Sequence, residues 1–165
     1  MHYFAYGSNM SLARLRARVP SARRIGTYRL QAHGLKFHKV GRDGSGKCDA
    51  FHTRDPDHSV IGALFDIDPV EKAQLDLVEG LGSGYDEKKV YLVGGGGSEI
   101  GAFTYVATRI DISLKPYTWY KHHVLTGARE SLLPRDYVRA IEQMESVPDR
   151  DKGREAAEYA IHAPR

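Results

Sequence analysis

Short apolar runs, broken by clusters of Gly, Pro, Asn and Asp, divide the chain into strand-sized pieces with helical patterns set between them. The first run, Tyr3-Phe4-Ala5-Tyr6, reads as a strand and meets the turn Gly7-Ser8-Asn9. Leu12, Leu15 and Val19 then recur at helical spacing up to Pro20. Ile25 to His33 and Leu35 to Val40 are rich in aliphatic and aromatic residues and predict two strands. The turn signal Asp43-Gly44-Ser45-Gly46 separates them from a short strand over Cys48 to Thr53. After Arg54-Asp55-Pro56-Asp57, the run Val60 to Ile67 is the most apolar strand candidate, and Gly62 inside it implies a bulge or a close backbone approach.

The next helix is punctuated at both ends. Asp68 suits the N-cap, Pro69 the first helical position, and Glu71 completes a capping-box pattern. Leu75, Leu77 and Val78 carry the helix to Glu79-Gly80, with Gly80 or Gly82 expected in the left-handed conformation that ends it. Lys88 to Val93 and Ile100 to Thr108 form a hairpin pattern around Gly94-Gly95-Gly96-Gly97-Ser98. Tyr117, Tyr120 and Val124 then mark a helix expected to stop at Gly127, and Pro134 opens another with Tyr137, Ala140, Ile141 and Met144 on one face. Beyond Pro148 the chain is charged, and Ala156 to Ile161 reads as a marginal helix or frayed tail. No repeat or linker separates two domains, so residues 1–165 are expected to form a single domain. Six or so strands with helices inserted between them predict an α+β fold, a small, partly closed mixed β-barrel with flanking helices.

Composition changes this picture little but excludes several functions. With 165 residues, 41% hydrophobic and 27% charged, the chain is an ordinary globular sequence with material for a sizeable core. No apolar run approaches the ~20 residues that span a bilayer, and the first residues lack signal-peptide order. The lone Cys48 excludes an internal disulfide framework, and a reducing cytoplasm is the expected compartment. The net charge of +3 is concentrated at Arg14, Arg16, Arg18, Arg23 and Arg24. Most of these are expected on the solvated face of the first helix, and without interleaved aromatics they do not predict nucleic-acid binding. The eight histidines carry no metal-ligand spacing. His122 and His123 are adjacent and project about 100° apart on a helix, so no metal is expected. Oligomeric state is not legible.

Two places carry chemistry. At Gly7-Ser8-Asn9 a strand turns into a helix start, where backbone N–H groups point outward and suit an anionic or developing negative oxygen. Ser8 does not sit in the Gly-x-Ser-x-Gly frame of a hydrolase elbow and reads as a binder rather than a nucleophile. Cys48 reads as a small buried hydrophobe. Glu79 stands in the last turn of its helix, where a carboxylate faces the negative end of the dipole. Asp76 is one turn away, and Leu75, Val78 and Leu81 surround it. Each influence pushes a carboxylate pKa upward, toward the range of a general base or acid near neutrality.

Tyr3-Phe4-Ala5-Tyr6-Gly7-Ser8-Asn9-Met10 resembles the Y-F-A-Y-G-S-N-[LM] opening of the γ-glutamylcyclotransferase (AIG2-like) family. Leu75-Asp76-Leu77-Val78-Glu79-Gly80 with Gly84-Tyr85 resembles its L-D-x-x-E-G…G-Y element. Tyr120-Lys121, with Gly127-Ala128-Arg129-Glu130 and Leu133-Pro134, is similar to its Y-K…G-A-x-E…L-P segment. The resemblance runs from about Met1 to Met144. It implies a γ-glutamylcyclotransferase-like barrel that closes a small γ-glutamyl amide on itself, releasing 5-oxoproline and an amine, without a cofactor. It places the catalytic base and acid at Glu79. It places substrate binding at Tyr6, Gly7, Ser8, Asn9 and Met10, and pocket-lining aromatics at Tyr85, Tyr105 and Tyr120, although the spacing of Tyr120 from Tyr117 suits a core position equally well.

Two rival readings share these residues: a non-catalytic small-molecule binder or interaction protein on the same barrel, and a hydrolase or transferase acting on another γ-glutamyl amide. Residues around Lys39 to Asp49 and Gly82 to Tyr85 are expected to read the leaving half of the substrate, with Gly41 to Gly46 a mobile cover. Glutathione is disfavoured as a substrate, because glutathione-specific relatives open with Y-G-S-L.

Overall fold

In a computed structural model, which describes residues 1–163, five strands close into a barrel. They are β1 (His2–Ala5), β2 (Arg23–Gln31), β5 (Ser59–Asp66), β6 (Tyr85–Gly94) and β7 (Glu99–Ala107), in the order β1-β5-β2-β6-β7. Neighbours run antiparallel except at the closure, where β1 lies parallel to β7 with Tyr3 opposite Phe103. The fold is therefore α+β around a mixed barrel. Phe4, Leu64, Phe65 and Leu92 are fully buried, with the consecutive Leu64 and Phe65 on opposite faces of β5. Each such side chain contributes about 2–3 kcal/mol on burial, more than the roughly 1 kcal/mol net of a hydrogen bond, so side-chain packing outweighs the closing ladder. Gly62 lies where a β-carbon would stand 2.4 Å from the Ala5 carbonyl oxygen, the close approach expected of it; the bulge is instead in β2, between Arg24 and Gly26.

The chain leaves the barrel at Ala32, two residues before the break at Gly34 that the pattern suggested. Ala32 takes a left-handed φ of 59°, and its N–H and C=O are held by His58 and Thr53. The next two strands, β3 (His33–Val40) and β4 (Gly46–His52), form a separate antiparallel arm. Asp49 anchors that arm by accepting the Ala107 N–H at 2.9 Å from the end of β7. The connection Gly41 to Ser45, expected to be a mobile cover, is a turn tied by its own bonds: Gly41 N–H to the Ser45 carbonyl, and Asp43 accepting from Ser45 and Lys47.

Helix α1 (Leu12–Arg16) follows a single 3-10 turn, Ser8–Met10, and α2 (Lys72–Glu79) follows another, Pro69–Glu71. Asp68 caps the latter by accepting the Val70 N–H. At the other end Gly80 adopts φ 69°, its N–H bonds Leu77 O and the Leu81 N–H bonds Asp76 O, the paired bonds of a Schellman stop.

Helix α3 (Thr118–Glu130) does not stop at Gly127. There a β-carbon would lie 2.3 Å from Ser11 N and 2.4 Å from the Met10 carbonyl carbon, so the glycine lets the helix rest directly on the 3-10 turn. α4 (Arg135–Gln143) packs through Ile141, and its Tyr137 hydroxyl accepts the Ile61 N–H. The charged tail is a capped helix, α5 (Lys152–Ala160). Buried Asp149 ties its start to the core, accepting from Trp119 Nε1 at 2.9 Å and from both forks of Arg154. No helix among the described residues is long and apolar enough to cross a membrane.

Candidate active site

Glu79 ends α2 with its side chain largely buried, at the junction of two cavities. The inner one is a narrow cleft of about 30 Å³ lined by Tyr3, Tyr6, Gly7, Ser8, Asn9, Cys48, Thr104, Tyr105 and neighbours. The outer one, a vestibule of about 190 Å³, shares Ser8, Glu79, Tyr85 and Tyr120 with it, so the two form one continuous depression.

Glu79 Oε1 accepts from Asn9 Nδ2 at 2.9 Å and from Arg18 Nη1 at 3.3 Å. The same Asn9 donates to the Tyr3 hydroxyl at 3.0 Å and accepts from Arg18 at 2.8 Å, closing a small ring of polar contacts. Both protein contacts of the carboxylate fall on Oε1; Oε2 has no hydrogen-bond partner among the described residues. Two expectations about this glutamate are corrected. Asp76 is turned away and neutralised, bonded to Lys72 Nζ and the Tyr105 hydroxyl at 2.5 Å each, while Lys72 also pairs with Glu87. Leu81 is 44% exposed rather than packed around Glu79, leaving Leu75 buried and Val78 on the vestibule wall.

The Gly7–Asn9 turn faces Glu79 across the cleft. Gly7 is required by the approach of β4, since a β-carbon there would meet Cys48 Cβ at 2.8 Å. The N–H groups of Ser8 and Asn9 open the 3-10 turn and have no backbone partner among the described residues. Met10, expected to bind substrate, does not line either cavity. It is fully buried against α3 in the space that Gly127 leaves, and so fixes the turn from behind.

The tyrosines line the cleft, and their hydroxyls hold its walls together. Tyr85 donates to the Cys48 carbonyl at 2.8 Å and Tyr120 accepts the Cys48 N–H at 3.0 Å, fastening the arm to the barrel. Tyr6 donates to the Tyr105 carbonyl, and Tyr105 in turn holds α2 through Asp76. Burial pushes the pKa of Tyr3, Tyr6, Tyr85, Tyr105 and Tyr120 well above the ordinary phenol value, so all five are neutral hydrogen-bonding groups around the carboxylate. Burial also pushes the Cys48 thiol up to about 12, which leaves it inert as a nucleophile.

Four lining residues escaped the sequence reading: Tyr3, Thr104, Arg14 and Arg18. Arg18 is the most informative of them. Of the five arginines expected mostly on a solvated helix face, only Arg16 and Arg23 are exposed: Arg14 is buried, Arg18 reaches Glu79, and Arg24, in β2, bonds the Met10 carbonyl and Glu130. The spacing of Arg14 and Arg18, four residues apart, was the signal that both share one face. Among the described residues, no group of three or more His, Cys, Asp or Glu is arranged to hold a metal ion.

Comparison with known proteins matches this chain and its barrel to one class. The AIG2-like family profile matches residues 59–141. The bovine γ-glutamylcyclotransferase is 31% identical over 94% of this chain and 84% of its own length, and the human protein of the same name is 31% identical over 87% and 78%. A solved structure of a γ-glutamyl cyclotransferase superposes with a TM-score of 0.86 at 30% identity, covering 97% of this chain and 96% of that one. The chain belongs to the γ-glutamylcyclotransferase (AIG2-like) family and is an enzyme of that type.

Proposed function

We propose that this enzyme cyclises a small γ-glutamyl amide, with Glu79 as base and then acid. The observation that carries the reading is the carboxylate of Glu79, pinned through Oε1 by Asn9 and Arg18 with Oε2 unpartnered, at the neck between cleft and vestibule.

The γ-glutamyl head enters the cleft and the leaving half stays in the vestibule. The substrate's α-ammonium gives a proton to Glu79, and the freed amine attacks the γ-carbonyl carbon. A new C–N bond closes the five-membered ring, the amide C–N bond breaks, and Glu79 returns its proton to the departing nitrogen. The second proton of the ring nitrogen passes to the released amine, which leaves as an ammonium. The products are 5-oxoproline and an amine. Because the attack is intramolecular, much of the acceleration comes from holding the chain curled. The close walls of Tyr3, Tyr6 and Tyr105 suit that task. The N–H groups of Ser8 and Asn9 serve either the carbonyl oxygen as it becomes anionic or the substrate α-carboxylate. A single buried Cys48 fits a cytoplasmic setting.

The test is 5-oxoproline release from a panel of γ-glutamyl amino acids and γ-glutamylamines, comparing wild type with Glu79→Gln. Turnover that disappears in a folded Glu79→Gln variant supports both reaction and base. Equal turnover removes Glu79 from the mechanism, and binding without turnover in the wild type favours a non-catalytic binder.

A further inference from the structure

The vestibule carries more positive charge than the ring closure uses. Its wall holds Arg14, Arg18, Lys39, Arg42 and Lys47 against the carboxylates of Asp43 and Glu79. Three of the cations are matched: Arg14 by Glu158, Arg18 by Glu79, and Lys47 by Asp43 at 2.7 Å. Lys39 and Arg42 enter no side-chain hydrogen bond or ion pair among the described residues.

Lys39 is the unusual one. It is only 5% exposed, its ammonium stands 4.5 Å over the face of Tyr85, and a β-carbon on Gly84 would lie 3.1 Å from Nζ. Burying a cation without a hydrogen-bonded counter-charge is costly, and the Tyr85 ring offsets only part of that. Arg42 stands at the exposed rim, where a β-carbon on Gly80 would lie 2.6 Å from its Nη2. Gly80 and Gly84 follow Glu79 closely in sequence, so both cations stand at the vestibule end of the base, where the leaving half of the substrate would lie.

We infer that Lys39 and Arg42 select γ-glutamyl amides whose leaving amine is an acidic amino acid. The inference rests on the γ-glutamyl reading of the site and names the substrate class within it. An amine without a carboxylate leaves both cations unmatched, and a neutral amino acid supplies one carboxylate. An acidic amino acid supplies two, one for the buried ammonium and one for the rim guanidinium, which accepts planar carboxylates in a bidentate fork.

The experiment compares γ-glutamyl-glutamate with γ-glutamyl-glutamine, a near-isosteric pair that differs by one negative charge, measuring 5-oxoproline release. The wild type is expected to favour the glutamate dipeptide by about tenfold in kcat/KM, mostly through KM, and the preference should shrink as salt is raised. Arg42→Gln, at the rim where folding is not at stake, and Lys39→Met should each lower that ratio toward one. Equal kcat/KM for the two dipeptides in the wild type, or an unchanged ratio in a folded Arg42→Gln variant, overturns the inference. Failure of the γ-glutamyl reading is a different result: no 5-oxoproline from either dipeptide. In that case calorimetric binding of the same two dipeptides to wild type and Glu79→Gln still decides, with tighter binding of the glutamate dipeptide expected and equal or absent binding overturning the charge selection.

Discussion

Two glutamates meet arginines from the same short stretch of chain, and they are used in opposite ways. Glu158 of α5 pairs with Arg14 and lies 2.8 Å from His123 Nε2, and that ring's Nδ1 bonds His162 at 2.6 Å. Glu79 of α2 pairs with Arg18 and Asn9 through one oxygen only. Burial pushes the Glu158 pKa up, but the contacts from His123 and Arg14 outweigh it and bring the carboxyl down to about 2. Burial holds His123 neutral, its pKa lowered to about 4. Glu158 thus staples α5 to α1 and α3, with both its contacts on Oε2. Glu79 keeps one oxygen for a ligand. Each carboxylate is bonded through one oxygen, so the difference lies in place: Glu79 lines the cleft and the vestibule, and Glu158 lines neither.

The sharpest way to break the comparison is to neutralise each glutamate in turn. Glu79→Gln is expected to lower kcat by roughly a thousandfold, in line with loss of a general base and acid, while the thermal midpoint stays within a few degrees. Steady-state kinetics alongside thermal denaturation check both halves. Gly127→Ala attacks the floor of the Glu79 site instead. Its methyl would press on the backbone of Met10 and Ser11, with an expected loss of about 3 kcal/mol or more by denaturant unfolding. Glu158→Gln should show the mirror image of Glu79→Gln. Stability should fall by about 2 kcal/mol because Arg14 is left buried and under-paired, and kcat should change by less than about threefold.

Smaller effects sharpen the contrast further. Tyr105→Phe removes the bond that holds α2 through Asp76 and should cost about tenfold in kcat/KM; restoration of activity by Asp76→Asn in the same chain would argue against that route. Mild acid should loosen the α5 staple before it unfolds the barrel. His123 is held neutral in the fold, so the unfolded chain takes up more protons below its ordinary pKa of 6.5, and stability is lost as pH falls from there toward 4. Glu158 adds a further loss below its ordinary value of 4.5 as pH falls toward 2. Hydrogen exchange of α5 amides across this window, in wild type and in His123→Gln, reads the effect; the variant should be flatter.

Much of the site was legible from the residues around two backbone turns. Gly7-Ser8-Asn9 and Glu79-Gly80 carry their geometry locally, in a strand-to-helix turn and a left-handed helix stop, so position in sequence sufficed to single them out. Met10 and Gly127 show the limit. The first suggested a ligand contact and the second a helix end, yet they fill each other's space across 116 intervening positions. The arginine run from Arg14 to Arg24 misled for the same reason: a run of charge predicts a solvated face unless partners exist, and the partners Glu79, Glu130 and Glu158 come from distant elements.

By itself the sequence determined the alternation of strands and helices, the caps of α2, the buried character of Cys48 and the family to which the motifs belong, because periodicity, capping and turn chemistry act over a few residues. Only the tertiary structure decided that five strands close while β3 and β4 stand apart, that Asn9 and Arg18 share one oxygen of Glu79, and that Lys39 is buried beside Tyr85 with no hydrogen-bonded counter-charge among the described residues. Those are meetings between residues tens of positions apart. Burial and electrostatics depend on distance in space, and no local pattern encodes that distance.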